Sequence, residues 1–113
     1  MEKIVSLCRN SEFQRLYRRG RCAVRPSMVV YCGKGIPGGL RLGITAGKKV
    51  GGAVCRNRAK RRIRELFRLA MPGLNRGFDI CIVARGRILT APYDRLVKEF
   101  NSAAYELGLL VEN

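Results

Sequence analysis

The chain has 113 residues, a formal net charge of +15 and a pI near 10.7. Its length fits one domain, 1–113, and its 47% hydrophobic content excludes a disordered basic tail. A folded scaffold with this excess of positive charge favours a polyanionic partner, with nucleic acid ahead of an anionic membrane.

The first predicted element is a short helix. Ser11 and Gln14 form a capping-box pattern, Phe13 and Tyr17 follow at helical spacing, and Gly20 can end the helix.

Strands are predicted next, over residues 27–33 and 40–47, because both segments are rich in apolar and β-branched residues. The glycine-rich turn at 35–39 predicts that these two strands form a hairpin, and residues 21–24 are a candidate for an additional edge strand.

The second half of the chain predicts a helix over 54–70, a buried strand over 79–84 and a helix over 90–107. The resulting order, α-β-β-β-α-β-α, predicts a single α+β domain with a sheet of three to four strands and three helices. The sequence contains no internal repeats and no linker long enough to divide it into two domains.

The cysteine and histidine content limits the catalytic and metal-binding chemistry available to the chain. The absence of histidine removes the commonest general base and metal ligand. No cysteine pair has zinc-knuckle spacing, so the cysteines are interpreted as buried thiols in a reducing cytoplasm. No apolar run is long enough for a signal peptide or a membrane span, which predicts a cytoplasmic protein without a membrane partner. The cysteines are Cys8, Cys22, Cys32, Cys55 and Cys81.

The helix predicted over 54–70 is strongly amphipathic. On a helical wheel its apolar face carries Cys55, Ala59, Ile63, Leu66 and Ala70. The opposite face carries Asn57, Lys60, Arg61, Arg64 and Arg68, with Arg56 and Arg58 at its margins. Like charges at i,i+4 destabilise a helix, so this face predicts phosphate binding rather than mere solubility.

A glycine-containing basic segment precedes this helix. Lys48 and Lys49 are followed by Gly51 and Gly52 at the predicted helix N-terminus, a combination that favours an anion. The phosphate-loop fingerprint is absent, so we do not expect a nucleotide-hydrolysing site.

The string KKVGGAVCRNRAKRRIRE over residues 48–65 resembles the basic signature of the bacterial ribonuclease P protein subunit. The segments RLGITAGKK and DICIVAR, together with Phe13, Tyr17 and Tyr31, resemble further parts of the family pattern, so the likeness extends from about residue 13 to residue 110. Three residues depart from the pattern: the family favours Ser at the positions of Thr45 and Gly47 and Asn at that of Gly52, and Thr45 keeps the hydroxyl group.

The resemblance implies a fold with a rare left-handed βαβ crossover. It also implies a ribonucleoprotein that removes the 5′ leader of precursor tRNA, in which ribonuclease P RNA performs the chemistry with Mg²⁺. No metal ligand on the protein is assigned.

The resemblance implies two sets of site residues. The residues implied to contact the catalytic RNA are Lys48, Lys49, Arg56, Asn57, Arg58, Lys60, Arg61, Arg64 and Arg68. The residues implied to form a cleft for the single-stranded leader are Phe13, Tyr17, Tyr31 and Thr45. The residues alone also allow these aromatic side chains simply to anchor the first helix to the core.

Three other functions share some of these features. A ribosomal or other structural RNA-binding protein would have the same size and charge. A DNA-binding module is disfavoured because no helix-turn-helix spacing stands out. A nuclease acting without RNA is disfavoured because the chain has no histidine and only eight acidic residues.

Overall fold

The computed structural model describes residues 3–111 and shows a five-stranded mixed sheet with helices on both faces. The elements are β1 (Val5–Ser6), α1 (Asn10–Arg19), β2 (Arg21–Val24), β3 (Met28–Lys34), β4 (Leu40–Thr45), α2 (Ala53–Ala70), β5 (Phe78–Ala84) and α3 (Tyr93–Glu106). Short 3₁₀ helices occupy Lys48–Val50, Met71–Gly73 and Gly86–Leu89. The α+β class and the three helices are confirmed.

The predicted hairpin is wrong. The strand order is β1-β4-β5-β3-β2, so β5 lies between β3 and β4, antiparallel to the first and parallel to the second. The turn after β3 instead encloses the start of β5, because Gly35 donates to the Gly77 carbonyl (2.9 Å) and Gly77 donates to the Gly39 carbonyl (2.6 Å). β5 takes the central place because it is nearly all apolar and largely buried on both faces.

The sheet also has more strands than predicted. The edge strand predicted over 21–24 is present, and β1 adds a fifth strand through parallel pairing with β4. With only two residues, both exposed, β1 has no alternation that a sequence could reveal. β4 ends at Thr45, two residues before the predicted end.

Two helix starts differ from the prediction. The Glu12 carboxylate accepts hydrogen bonds from the backbone N–H groups of Arg9 (3.1 Å) and Cys8 (3.3 Å), so α1 begins at Asn10 rather than being capped by Ser11. α3 begins at Tyr93, directly after Pro92, because proline is accommodated only at the start of a helix.

The core is divided by the sheet. On one face α2 and α3 bury the larger cluster, which includes Ile63, Phe67 and Phe100 packed on Val30 and Ile82. On the other face α1 covers a smaller cluster formed by Leu7, Leu16 and Cys81, with Phe13, Tyr17, Tyr31 and Val83 packed against it.

Hydrogen bonding fixes the hand of the β4–α2–β5 crossover. Leu42 turns its side chain to the α2 face, and its carbonyl accepts a hydrogen bond from Leu7 N–H next to β1 (2.9 Å). When an L-residue in an upward strand points its side chain at the viewer, its carbonyl points right. β5 therefore lies to the left of β4, and a chain that passes in front through α2 makes a left-handed crossover. This is the rare hand that the family resemblance implied.

Helix α1 approaches the sheet very closely at two glycines. A Cβ on Gly43 would lie 2.5 Å from Phe13 Cε1, and a Cβ on Gly33 would lie 2.9 Å from Leu16 Cδ2. The strands thus carry glycine where the helix side chains contact them, and this lets the Phe13 ring rest on the backbone of β4.

We expect Gly43→Ala to destabilise the fold by about 1–3 kcal/mol, because the added methyl group forces the Phe13 ring out of position. Gly47→Ala is the matched control, since a Cβ there meets nothing within 4 Å and its φ of −82° suits any residue. Urea unfolding measures both. Equal stability of the two variants would show that the contact between α1 and β4 is loose.

Candidate RNA interface

The four residues predicted to form the cleft lie together between α1 and the sheet. The rings of Tyr17 and Tyr31 meet edge to face, with centroids 5.0 Å apart. The Tyr17 hydroxyl lies 2.9 Å from Thr45 Oγ1, and Phe13 rests on Gly43 beside them. All four are half-buried, so each ring is anchored in the protein and still partly open to a ligand.

The polar groups of this cleft are neutral. The Tyr17 hydroxyl also lies 3.5 Å from Cys81 Sγ, and burial raises its pKa to about 12. Burial likewise raises the pKa of the Cys81 thiol. At physiological pH the cleft therefore offers hydroxyl groups and ring faces without negative charge.

A buried ion cluster, which the sequence pattern did not reveal, holds α1 against the sheet. The Asp79 carboxylate is fully buried; it accepts from Arg15 Nη2 of α1 (2.6 Å) and from Arg41 Nε (2.9 Å) and Nη2 (2.8 Å) of β4. Arg41 Nη1 also pairs with Glu12 of α1 at 2.6 Å. The one available signal was an acid at the start of an otherwise apolar strand.

The Glu12 carboxylate has two functions in this cluster. Hydrogen bonds from the backbone of Arg9, and then the contact with Arg41, lower its pKa. The same carboxylate caps α1 and links it to β4, so the helix start and the cleft wall are fixed together.

The cationic face of α2 is placed as predicted, and we call it the ridge. Asn57, Arg58, Arg61, Arg64 and Arg68 are exposed, and Arg68 pairs with Glu65 at 3.0 Å. Arg56 and Lys60 are half-buried, and the Nε of Arg56 is buried without a hydrogen-bond partner among residues 3–111. On the apolar face Ala59, Ile63 and Leu66 are buried, whereas Cys55 and Ala70 are only half-buried.

The remaining predicted contacts extend the ridge at its start. Lys48 and Lys49 are exposed in the 3₁₀ helix that precedes α2. Arg62, which was not predicted to bind RNA, points elsewhere and donates to the carbonyls of Ile88 (2.7 Å) and Ala91 (2.8 Å). Its positive charge is used to hold the 3₁₀ helix Gly86–Leu89.

The ridge and the cleft adjoin at the β1–β4 edge of the sheet. A cavity of about 150 Å³ there is lined by Phe13 of the cleft and by Lys60 and Arg64 of the ridge, together with Leu42 and Ile44. A polyanion that leaves the cleft at this edge would therefore meet positive charge.

Comparison with known proteins decides the family. The family model described as Ribonuclease P matches residues 1–108. The chain belongs to the ribonuclease P protein family. It is 34% identical over 113 residues to the Ribonuclease P protein component of Natranaerobius thermophilus, covering 100% of this chain and 98% of the relative. It is 38% identical to that of Symbiobacterium thermophilum, covering 97% and 96%.

Solved structures of ribonuclease P proteins share the fold. The Staphylococcus aureus RNase P protein matches with a TM-score of 0.82 and 29% identity, covering 96% of this chain and all of that chain (100%). The Thermotoga maritima RNase P protein matches with a TM-score of 0.77 and 26% identity, covering 86% and 92%.

Family membership makes this chain the protein component of an endoribonuclease ribonucleoprotein, with ribonuclease P RNA as its partner and RNA binding and precursor-tRNA processing as its role. The match favours this function over the ribosomal and DNA-binding alternatives. Across residues 3–111, no helix is both long and apolar enough to cross a membrane. In the same range, no three His, Cys, Asp or Glu side chains are grouped so that they could hold a metal ion.

We expect Asp79→Asn to lower the free energy of unfolding by about 3 kcal/mol, because it leaves Arg15 and the largely buried Arg41 without their shared carboxylate. Asp94→Asn is the matched control and should cost less than about 1 kcal/mol, since Asp94 is exposed in the first turn of α3. Chemical denaturation measures both. If the Asp79 variant is as stable as the control, the cluster does not hold α1.

Proposed function

We propose that the two surfaces bind two different RNAs. The ridge and the basic segment before it bind ribonuclease P RNA, and the cleft between α1 and the sheet binds the 5′ leader of precursor tRNA. The observation that carries this division is the assembly of Phe13, Tyr17, Tyr31 and Thr45 on one face of the sheet, while α2 lies on the other.

The ridge suits the phosphate backbone of a folded RNA. Arg58, Arg61 and Arg64 are exposed, and their side chains form no ion pair within residues 3–111. A guanidinium group matches the oxygens of a phosphate, and a row of such groups on a rigid helix releases several counterions at once.

The cleft suits a single strand. Unpaired bases stack on aromatic side chains, and hydroxyl groups contact base edges or riboses. Tyr31 and Phe13 supply ring surfaces, and Thr45 supplies a hydroxyl beside the neutral Tyr17. Gly43 keeps the floor of the cleft low, because any larger residue would displace Phe13.

The two glycine departures from the family pattern lie at the start of the ridge. A Cβ on Gly47 or Gly52 would meet nothing within 4 Å, so the fold does not require glycine at either position. We infer that polar side-chain contacts made there by relatives with Ser or Asn are absent in this chain, and that Lys48 and Lys49 carry more of the binding.

In this proposal the protein acts in the bacterial cytoplasm on precursor tRNA, and Mg²⁺ belongs to the RNA. The protein increases the affinity for leader-bearing substrate and for the RNA subunit. The direct test is reconstitution with a bacterial ribonuclease P RNA at low Mg²⁺, where the protein should stimulate cleavage of precursor tRNA. Absence of stimulation would refute the proposal.

Replacing Arg61 and Arg64 with Ala should weaken binding to ribonuclease P RNA and reduce its salt dependence. If each arginine contacts one phosphate, the log–log slope should fall by roughly 1.4–1.8 for the pair. Arg18→Ala with Arg19→Ala removes the same charge from exposed positions of α1 and should change the slope less. Equal reductions in the two double variants would indicate that net charge alone governs binding.

Tyr31→Ala should weaken holoenzyme binding to precursor tRNA with a leader of several nucleotides by about 1–3 kcal/mol, the usual contribution of one stacked base. A substrate with a one-nucleotide leader should bind as it does to the parent, since it cannot reach the cleft. Tyr105→Ala, at a 74% exposed tyrosine of α3, is the control. Equal losses for both substrates would make Tyr31 a packing residue only.

A further inference from the structure

A second cavity lies between the 3₁₀ helix Gly86–Leu89 and the first half of α3, on the face of the sheet opposite to the cleft. It has a volume of about 270 Å³. Glu99 and Ser27 lie on its wall with Pro92, and Arg87, Thr90 and Arg95 are exposed around it. Neither the ridge nor the cleft includes any of these residues.

The wall of this cavity carries a buried carboxylate, that of Glu99. Its side chain is buried, and it accepts hydrogen bonds from Ser27 N–H at Oε1 and from the Ser27 hydroxyl at Oε2, both at 2.8 Å. A carboxylate has about four acceptor positions, so roughly two remain. No Lys or Arg of residues 3–111 forms an ion pair with it. Because burying a carboxylate without a neighbouring cation is costly, additional hydrogen-bond donors from a ligand would stabilise it.

The rim of the cavity supplies the opposite charge. Arg87 and Arg95 are exposed, and their side chains make no hydrogen bond or ion pair with residues 3–111. The backbone beneath them is fixed, because Arg62 of α2 donates to the carbonyls of Ile88 and Ala91. The cavity thus combines a carboxylate inside with two free guanidinium groups outside.

We propose that this cavity binds one nucleotide of single-stranded RNA, with guanine as the preferred base. The N1–H and N2–H groups of guanine are parallel donors that match the two oxygens of Glu99, whereas adenine presents an acceptor at N1. Arg87 and Arg95 contact the phosphate of the same nucleotide, and Thr90 adds a hydroxyl at the rim.

We assign the bound nucleotide to ribonuclease P RNA, and this assignment rests on the proposed function. Arg62, which holds the cavity wall, belongs to the same helix as the ridge, so an RNA bound along α2 passes beside the cavity. The preference for guanine depends only on Glu99 and its surroundings.

The first test uses the isolated protein and two probes, guanosine 5′-monophosphate and adenosine 5′-monophosphate, titrated by NMR. The amide resonances of Ser27, Thr90 and Glu99 should shift with the guanine nucleotide, which should bind roughly tenfold more tightly than the adenine nucleotide, the order expected of a bidentate base contact. Absence of shifts in this region, or equal binding of both probes, would overturn the proposal.

Variants separate the two halves of the site. Glu99→Gln should abolish the preference for guanine, because the amide group places a donor against the N2–H group. Arg87→Ala with Arg95→Ala should weaken both nucleotides and, being at exposed positions, should leave thermal unfolding unchanged. Arg18→Ala, on the other side of the sheet, should change neither. If Glu99→Gln fails to fold, the probe comparison and the double arginine variant still decide the outcome.

The last test identifies the RNA. In the reconstituted holoenzyme, Arg87→Ala with Arg95→Ala should reduce the affinity for ribonuclease P RNA while leaving the leader-length dependence of substrate binding intact. A loss confined to precursor tRNA would overturn the assigned source. If replacing Arg61 and Arg64 with Ala leaves RNA binding unchanged, the proposed role of the ridge is wrong. The cavity assignment would still stand if the isolated protein binds guanosine 5′-monophosphate.

Discussion

The cleft between α1 and the sheet depends on the interactions of the buried Asp79 carboxylate. This carboxylate lies at the start of the central strand β5 and holds one arginine from α1 and another from β4. A buried charge of this kind is tolerated only with good hydrogen-bond geometry, and removal of one partner is costly. The position of α1, and with it the spacing between the aromatic side chains and the sheet, follows from this cluster.

Within residues 3–111, most acidic residues of this strongly basic chain have a specific polar partner. Glu12 caps α1 and pairs with Arg41, and Asp79 completes that cluster. Glu106 pairs with Arg25, and Glu65 pairs with Arg68. Because so few acids remain to neutralise the surface, most ridge arginines project freely.

The sequence was most informative where one property repeats at a fixed spacing. The period of α2 revealed both its buried face and its ridge. Strand pairing was less accessible, because the short 35–39 turn predicted a hairpin although β5 is inserted between the two strands. Long-range partners such as Arg15 and Asp79 leave no local pattern at all.

The candidate cleft could be predicted from the sequence only in part. The family resemblance groups Phe13, Tyr17 and Tyr31 as a site, whereas spacing alone favours simple packing of the first helix on the core. The structure shows that both properties coexist: the rings pack on one side and remain partly open on the other. The ridge and the cleft meet at the β1–β4 edge, where Lys60 and Arg64 approach Phe13, so the two RNAs would lie close together there.

The division between the surfaces is tested most directly by photo-crosslinking in the reconstituted holoenzyme with precursor tRNA bound. A photoreactive phenylalanine analogue replaces Tyr31 in one sample and Arg61 in another. The probe at Tyr31 should crosslink to nucleotides of the leader, and the probe at Arg61 should crosslink to ribonuclease P RNA. Crosslinks from Tyr31 to ribonuclease P RNA, with none to the leader, would contradict the division.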